Sequence, residues 1–261
     1  MNRRYFAQSM GSAAVLSALA NAPAQAQPPA PKTKLYRLEY LCLRQGSQGN
    51  RINEFLSSQI PMLAKNTLAL GVFTAVIGPQ LPATVVLSGF TGLEEMEATD
   101  DRIRRNPEYQ AALEKLEKGA EPPYDRTERV LLRATDFSPE IVPLREKPKM
   151  PRIFELRVYH SPTERQLHAL HERFAGPEIA IFHRSGIHPA LYADTIIGPN
   201  MPNMTYLAPF ASLAEREKAW DTFAADPEWI KAREESIARG GQIVAQSNIT
   251  LLRPTPFSPM Q

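Results

Sequence analysis

The chain states one pattern twice, so any fold for it must accommodate two like units. Ile77-Gly78-Pro79-Gln80-Leu81-Pro82 recurs as Ile197-Gly198-Pro199-Asn200-Met201-Pro202, and Phe90 recurs as Phe210. Asn106-Pro107-Glu108-Tyr109 recurs as Asp226-Pro227-Glu228-Trp229, and Phe137-Ser138-Pro139 as Phe257-Ser258-Pro259, all at one offset of 120 residues. Two copies are too few for a solenoid, which needs several stacked repeats to bury a continuous core. Each copy is therefore expected to be a compact module of about a hundred residues. The pair is expected to pack as a pseudo-dimer, with a site between the copies or surviving in one of them.

Hydrophobic periodicity gives both copies the same order of elements. In the first, residues 34–43 alternate as a strand, and Asn50 caps a helix whose apolar face carries Ile52, Phe55, Leu56, Ile60, Leu63 and Ala64. Gly71 marks its exit. Strands over 72–77 and 84–90 flank the Gly-Pro-Gln-Leu-Pro turn, where proline stays out of the strands. Helices over 93–105 and 107–118 and a strand over 128–134 complete the module. The second copy predicts a strand over 153–160, a helix over 163–185 opened by Ser161-Pro162-Thr163-Glu164, and strands over 191–197 and 204–210. Helices over 213–225 and 227–239 and a strand over 243–252 follow. The order β-α-β-β-α-β, twice, predicts an α+β fold of two tandem ferredoxin-like modules, at 34–137 and 152–261, each with a four-stranded antiparallel sheet. Residues 138–151, rich in proline and charge, read as a surface linker.

The N-terminus pairs Arg3-Arg4 with a short apolar run and Ala24-Gln25-Ala26, the layout of a signal peptide over 1–26, followed by a linker over 27–33. Adjacent arginines followed by x-Phe resemble the twin-arginine type, a receptor-read address implying the twin-arginine export machinery as partner and a periplasmic location. An ordinary secretory signal is the alternative. The apolar run is too short to span a bilayer, so no stable membrane anchor is expected. Removal of residues 1–26 takes away Arg3 and Arg4 and no acid, leaving 28 basic and 28 acidic side chains. That balance gives no electrostatic footprint for nucleic acid. Cys42, the only cysteine, excludes an intramolecular disulfide and reads as a buried thiol.

Two groups of residues could carry chemistry. On the first strand of each copy an acid and an arginine share one face: Arg37 and Glu39 in the first, Glu155 and Arg157 in the second. If that face lined the interior between the modules, the four would meet as an ion-pair network, either structural or a polar ligand-binding site. All five histidines fall in the second copy. Glu164, His168 and Glu172 can form one helical row able to hold a transition metal, or simply a solvated face. His183 sits near a helix C-terminus, where a cap is the plain alternative to chemistry. Trp220 and Trp229 read as core or module-interface anchors. No motif indicates a cofactor.

Phe154-Glu155-Leu156-Arg157-Val158-Tyr159, Arg184-Ser185-Gly186, Ile197-Gly198-Pro199, the run from Ala214 to Trp220 and Asp226-Pro227-Glu228-Trp229 together resemble the NIPSNAP family. The resemblance covers the second copy and, more loosely, the first, where Tyr36-Arg37-Leu38-Glu39-Tyr40 replaces the Glu-Leu-Arg order. It implies the dimeric α+β barrel, in which two ferredoxin-like sheets close face to face. By analogy with such barrels, His183, Tyr159 and Tyr206 would line a pocket between sheet and helices, with Arg157 converging on it. The expected function is binding of a small, mainly apolar molecule. The alternatives are a small-molecule enzyme of monooxygenase or isomerase type, or an assembly protein, and a homo-oligomer fits any of them.

Overall fold

The computed structural model describes residues 31–119, 121–142, 144 and 146–261. The proposed signal segment lies outside them. The first half runs β1 (Leu35–Cys42), α1 (Gln48–Asn66), β2 (Ala69–Ile77), β3 (Ala83–Phe90), α2 (Leu93–Arg104), α3 (Pro107–Glu117) and β4 (Arg126–Ala134). The second runs β5 (Ile153–His160), α4 (Glu164–Arg173), a π-turn (Phe174–Glu178), α5 (Ile179–Arg184), β6 (Leu191–Ile197) and β7 (Asn203–Phe210), then α6 (Leu213–Ala225), α7 (Pro227–Gly240) and β8 (Gln246–Pro254). The eight strands close into one antiparallel barrel in the order β1-β3-β2-β8-β5-β7-β6-β4. Among the described residues no helix is long and apolar enough to cross a membrane.

Within each half the strands pair by local antiparallel connections. The halves meet along two seams, β2 with β8 and β4 with β6. Each seam carries one irregularity, which leaves Val76 unpaired in β2 and Ile196 unpaired in β6. These positions are 120 residues apart, so the repeat governs the joint as well as the parts. The inward row of β1 (Tyr36, Leu38) and of β5 (Phe154, Leu156) fills the barrel with Phe73, Leu87, Leu132 and Leu207. The opposite faces are covered by helices, forming one apolar core per half.

The repeated motifs have separate tasks. The two Gly-Pro-x-x-Pro hairpins stand at one end of the barrel, each with a cis bond before its second proline, Pro82 and Pro202. A Cβ on Gly78 would come within 2.9 Å of Thr250, and one on Gly198 within 2.8 Å of Val130, so only glycine lets each hairpin lean onto the other half's strand. At the opposite end, the Phe-Ser-Pro triplets latch the seams. Ser138 Oγ accepts the Tyr192 amide at 3.0 Å, and Ser258 Oγ accepts the Val72 amide at 2.9 Å. The amides of Thr135 and Thr255 donate to the carbonyls of the same two residues. Phe137 then enters the second half's core against His171, Phe174 and Tyr192, while Phe257 packs on the first half's.

Local departures from the sequence reading have clear causes. Helix α1 starts at Gln48 rather than after Asn50, because the buried Gln48 side chain accepts the Arg44 amide and donates to the Pro122 carbonyl. Gly71 lies inside β2, where a Cβ would strike the Phe73 ring at 2.5 Å. The helix expected over 163–185 is broken by Gly176, with non-helical ψ, and by Pro177, which has no amide hydrogen. Ile243 belongs to the helix-covered core, and the last strand begins at Gln246. The segment over 138–151 is largely exposed among its described residues, with Ser138 and Ile141 tucked against the barrel end.

The latches give a direct test. Ser258→Ala is expected to lower unfolding free energy by about 1–3 kcal/mol, since it strands a buried amide. It should also speed hydrogen exchange at Val72, read by urea denaturation and amide exchange.

Candidate functional site between β5, β8 and the helices

Strand β5 points Phe154, Leu156 and Val158 inward, so Glu155, Arg157 and Tyr159 face the helices. The same alternation turns Arg37 and Glu39 outward on β1. The four charges therefore do not meet inside the barrel. That face was open to misreading because both sides of each strand are covered.

Each pair forms its own network instead. Arg37 Nη1 donates to Asp100 on α2 at 2.7 Å and its guanidinium lies 4.0 Å from Glu39, which also pairs with Arg129. Glu155 is the more deeply placed acid, at 0 % exposure. One of its oxygens accepts from Arg157, the other from Arg216 and, at 3.1 Å, from Trp220 Nε1. The Arg157 guanidinium lies 3.6 Å from the Trp220 ring centroid. Burial opposes its charge, but Tyr206, Tyr159 and Glu155 outweigh burial and hold its pKa above the ordinary value.

A line of phenols continues from that arginine. Arg157 Nη1 donates to Tyr159 Oη at 3.1 Å, and Tyr206 Oη donates to the same oxygen at 2.8 Å. Tyr192 pairs with Tyr206 across β6 and β7, its buried hydroxyl without a partner among the described residues. Burial raises the pKa of both Tyr206 and Tyr192. The corresponding positions of the first half, fixed by strand register, are Leu41, Val72 and Val86. Three aliphatic side chains beneath one set of helices are thus three tyrosines beneath the other.

A cleft of about 280 Å³ opens beside these phenols, lined by Tyr159, Arg173, Trp229, Arg233, Ile243 and Ser247 among others. Arg173 is buried and donates to Glu178 at 2.7 Å and to Ser236 at 3.3 Å, with its guanidinium 4.9 Å from the Trp229 centroid. Glu178 closes the π-turn. Burial pushes its carboxyl up to about 7, against the pull of Arg173. Arg173, Glu178 and Arg216 escaped the sequence reading; Gly176-Pro177 inside a helical pattern was the signal that something other than packing was built there.

The histidines lie elsewhere. His183 is exposed and stacks on His188 at 5.0 Å, and no contact among the described residues links it to Tyr159 or Tyr206. Burial and the neighbouring His188 lower its pKa. The expected convergence of His183 with the two tyrosines and Arg157 therefore holds for the last three only. His168 lies 3.5 Å from Glu172 on an exposed helix face, and Glu164 does not join them in a cluster of metal-ligating residues among the described residues. His171, the neighbour of that row on the helix, instead binds Asp194 at 2.7 Å beneath Phe137. Both tryptophans belong to the helix-covered core of the second half rather than to the seams. Cys42 is buried, and burial raises its thiol pKa.

Glu155→Gln is expected to destabilise the fold by about 3–5 kcal/mol, because it leaves two guanidiniums without their carboxylate. Glu178 predicts a pH effect. Its native pKa lies above the unfolded value, so its contribution is full below about pH 4.5 and fades as pH rises toward 7. The stability difference between the unaltered protein and Glu178→Gln should accordingly fall by about 2–3 kcal/mol from pH 4 to pH 8 in urea titrations.

Comparison with known proteins places this site in a domain. Residues 154–259 match the NIPSNAP family profile, so the second half carries a NIPSNAP domain. The whole barrel is similar to a provisionally named monooxygenase of Lactobacillus acidophilus, with a TM-score of 0.54 and 12% identity over 85% of this chain and 94% of that one. It is also similar to an anthrone oxidase-like protein, with a TM-score of 0.51 and 14% identity over 86% and 92%. A NIPSNAP-like domain protein of Burkholderia xenovorans aligns at 24% identity and a TM-score of 0.36, over 41% of this chain and 89% of its own. No curated protein matches the chain. At these identities the first two likenesses speak to the α+β barrel fold alone.

Proposed function

We propose that the chain is an exported tandem NIPSNAP-like protein, its two ferredoxin-like modules at 34–137 and 152–261 paired as a pseudo-dimer, which binds a small molecule in the cleft beneath α7. The ligand has an apolar or aromatic body with an anionic or hydrogen-bond-accepting group. One observation carries this reading. Tyr159 lines the cleft and already accepts from Arg157 and Tyr206, so its own hydroxyl hydrogen is left to donate to a guest. Arg173 and Trp229 add a cation and an aromatic face, the mixture of an apolar body and a few placed polar groups that small-molecule sites use. Glu155, Arg157 and the phenols support this wall from behind. The first-half pair Arg37 and Glu39 serves as scaffold. The twin-arginine-type N-terminus supports export to a periplasm.

A second reading is an enzyme of monooxygenase or isomerase type. With His183 away from the tyrosines, the group suited to moving a proton near neutrality is Glu178, joined to the cleft through Arg173.

Native mass spectrometry of the protein purified from its source compartment tests the binding reading. A defined bound mass is expected in the unaltered protein and in Arg37→Gln, and its loss in Trp229→Ala. Tyr159→Phe should weaken retention by about 3- to 30-fold, the value of one hydrogen bond. An unliganded mass throughout, in a stable oligomer, would favour the assembly role instead.

A further inference from the structure

The latched end of the barrel holds a second cavity, of about 200 Å³, beneath the segment that joins the halves and separate from the cleft under α7. Its walls are mostly apolar and include Ile141, Val142, Pro189, Pro209 and Met260. The inner wall is Phe154, part of the packed barrel interior.

Arg152 stands two residues before Phe154 and lies over its ring, the guanidinium carbon 4.9 Å from the centroid. Its Nε is buried and has no hydrogen-bond partner among the described residues. Burial lowers its pKa. Glu140, an acidic side chain in the cavity wall, is engaged elsewhere: its two oxygens accept the Thr33 amide at 3.1 and 3.2 Å. The side-chain amide of Gln261 is likewise committed, donating to the carbonyls of Thr255 and Ser258.

The rest of the molecule sets the standard for such a group. Arg37 has Asp100, Arg157 and Arg216 have Glu155, and Arg173 has Glu178. The Arg152 side chain is half-buried, but its Nε is withdrawn from water without an acceptor among the described residues, which is unfavourable. Here it faces an apolar cavity that a ligand can enter. We propose that this cavity is a binding site for a small carboxylic acid with an apolar tail, the carboxylate paired with Arg152 and the tail lying against Met260 and the prolines.

The probes are sodium octanoate and the uncharged octanamide, added to the full chain carrying 13C-methyl methionine. Octanoate is expected to shift the Met260 methyl resonance saturably, with octanamide about tenfold weaker or more, as expected for loss of a charge-assisted contact. Arg152→Met should bring octanoate down to the level of octanamide. Equal response to the two probes, no response to either, or an octanoate preference that survives Arg152→Met overturns the proposal. The comparison of the two probes uses the unaltered protein, so it decides the matter even if the variant fails to fold.

Discussion

Everything in this structure depends on closing two sheets that cannot close alone. Within each half the strands run β4-β1-β3-β2 and β8-β5-β7-β6, which leaves two strand edges unpaired per half. Open edges invite pairing with any other strand. Here each edge finds the other half, and the hydrogen bonds of Ser138 and Ser258 secure the amides of Tyr192 and Val72 beside the seams. The exchange of Phe137 and Phe257 couples this pairing to the helix-covered cores, so each half's last strand delivers a ring to its neighbour. The arrangement has the logic of a two-fold dimer, in which one contact is made twice.

Because the seams need the same chemistry on both sides, the residues at them recur. The helix-covered faces have no such obligation. They diverge where Leu41, Val72 and Val86 correspond to Tyr159, Tyr192 and Tyr206. The first half keeps an apolar interface with a partly exposed Arg37–Asp100 pair at its edge. The second buries Glu155, Glu178 and Arg173, with Arg157 and Arg216 half-buried against Glu155. Replacing a buried ion pair by well-packed apolar groups is commonly neutral or stabilising, so stability alone does not account for that investment in charge. The first half shows that the same framework folds around aliphatic residues.

Strand alternation, the repeat and the turn signals made the fold legible in the sequence, because periodicity and proline placement are local. Which face of β1 and β5 turned inward was not legible. Alternation identifies two faces but ranks them only when one meets solvent, and here one meets the barrel and the other the helices. The histidines singled out the second half, but they are not the groups that converge there. His183 ended on the surface, while the convergent groups were tyrosines on three different strands and arginines on separate helices. Arg216 and Trp220 reach Glu155 only through the docking of α6, a tertiary fact that no spacing along the chain encodes.

The same closure decides where a ligand can go. An eight-stranded barrel is just wide enough for side chains to fill, and Phe73, Phe154, Leu87 and Leu156 do fill it. Space is left at the barrel ends and between the sheet's outer face and its helices. In the first half the latter space is taken by aliphatic packing. In the second, the break at Gly176-Pro177 ends α4 at Arg173 and places Glu178 beneath it, while Trp229, Ile237, Gln242 and Ile243 line the opening. The helix interruption, the buried acid and the cleft are therefore one construction: a continuous helix over 163–185 would carry Arg173 and Glu178 on different faces and leave neither positioned by the other.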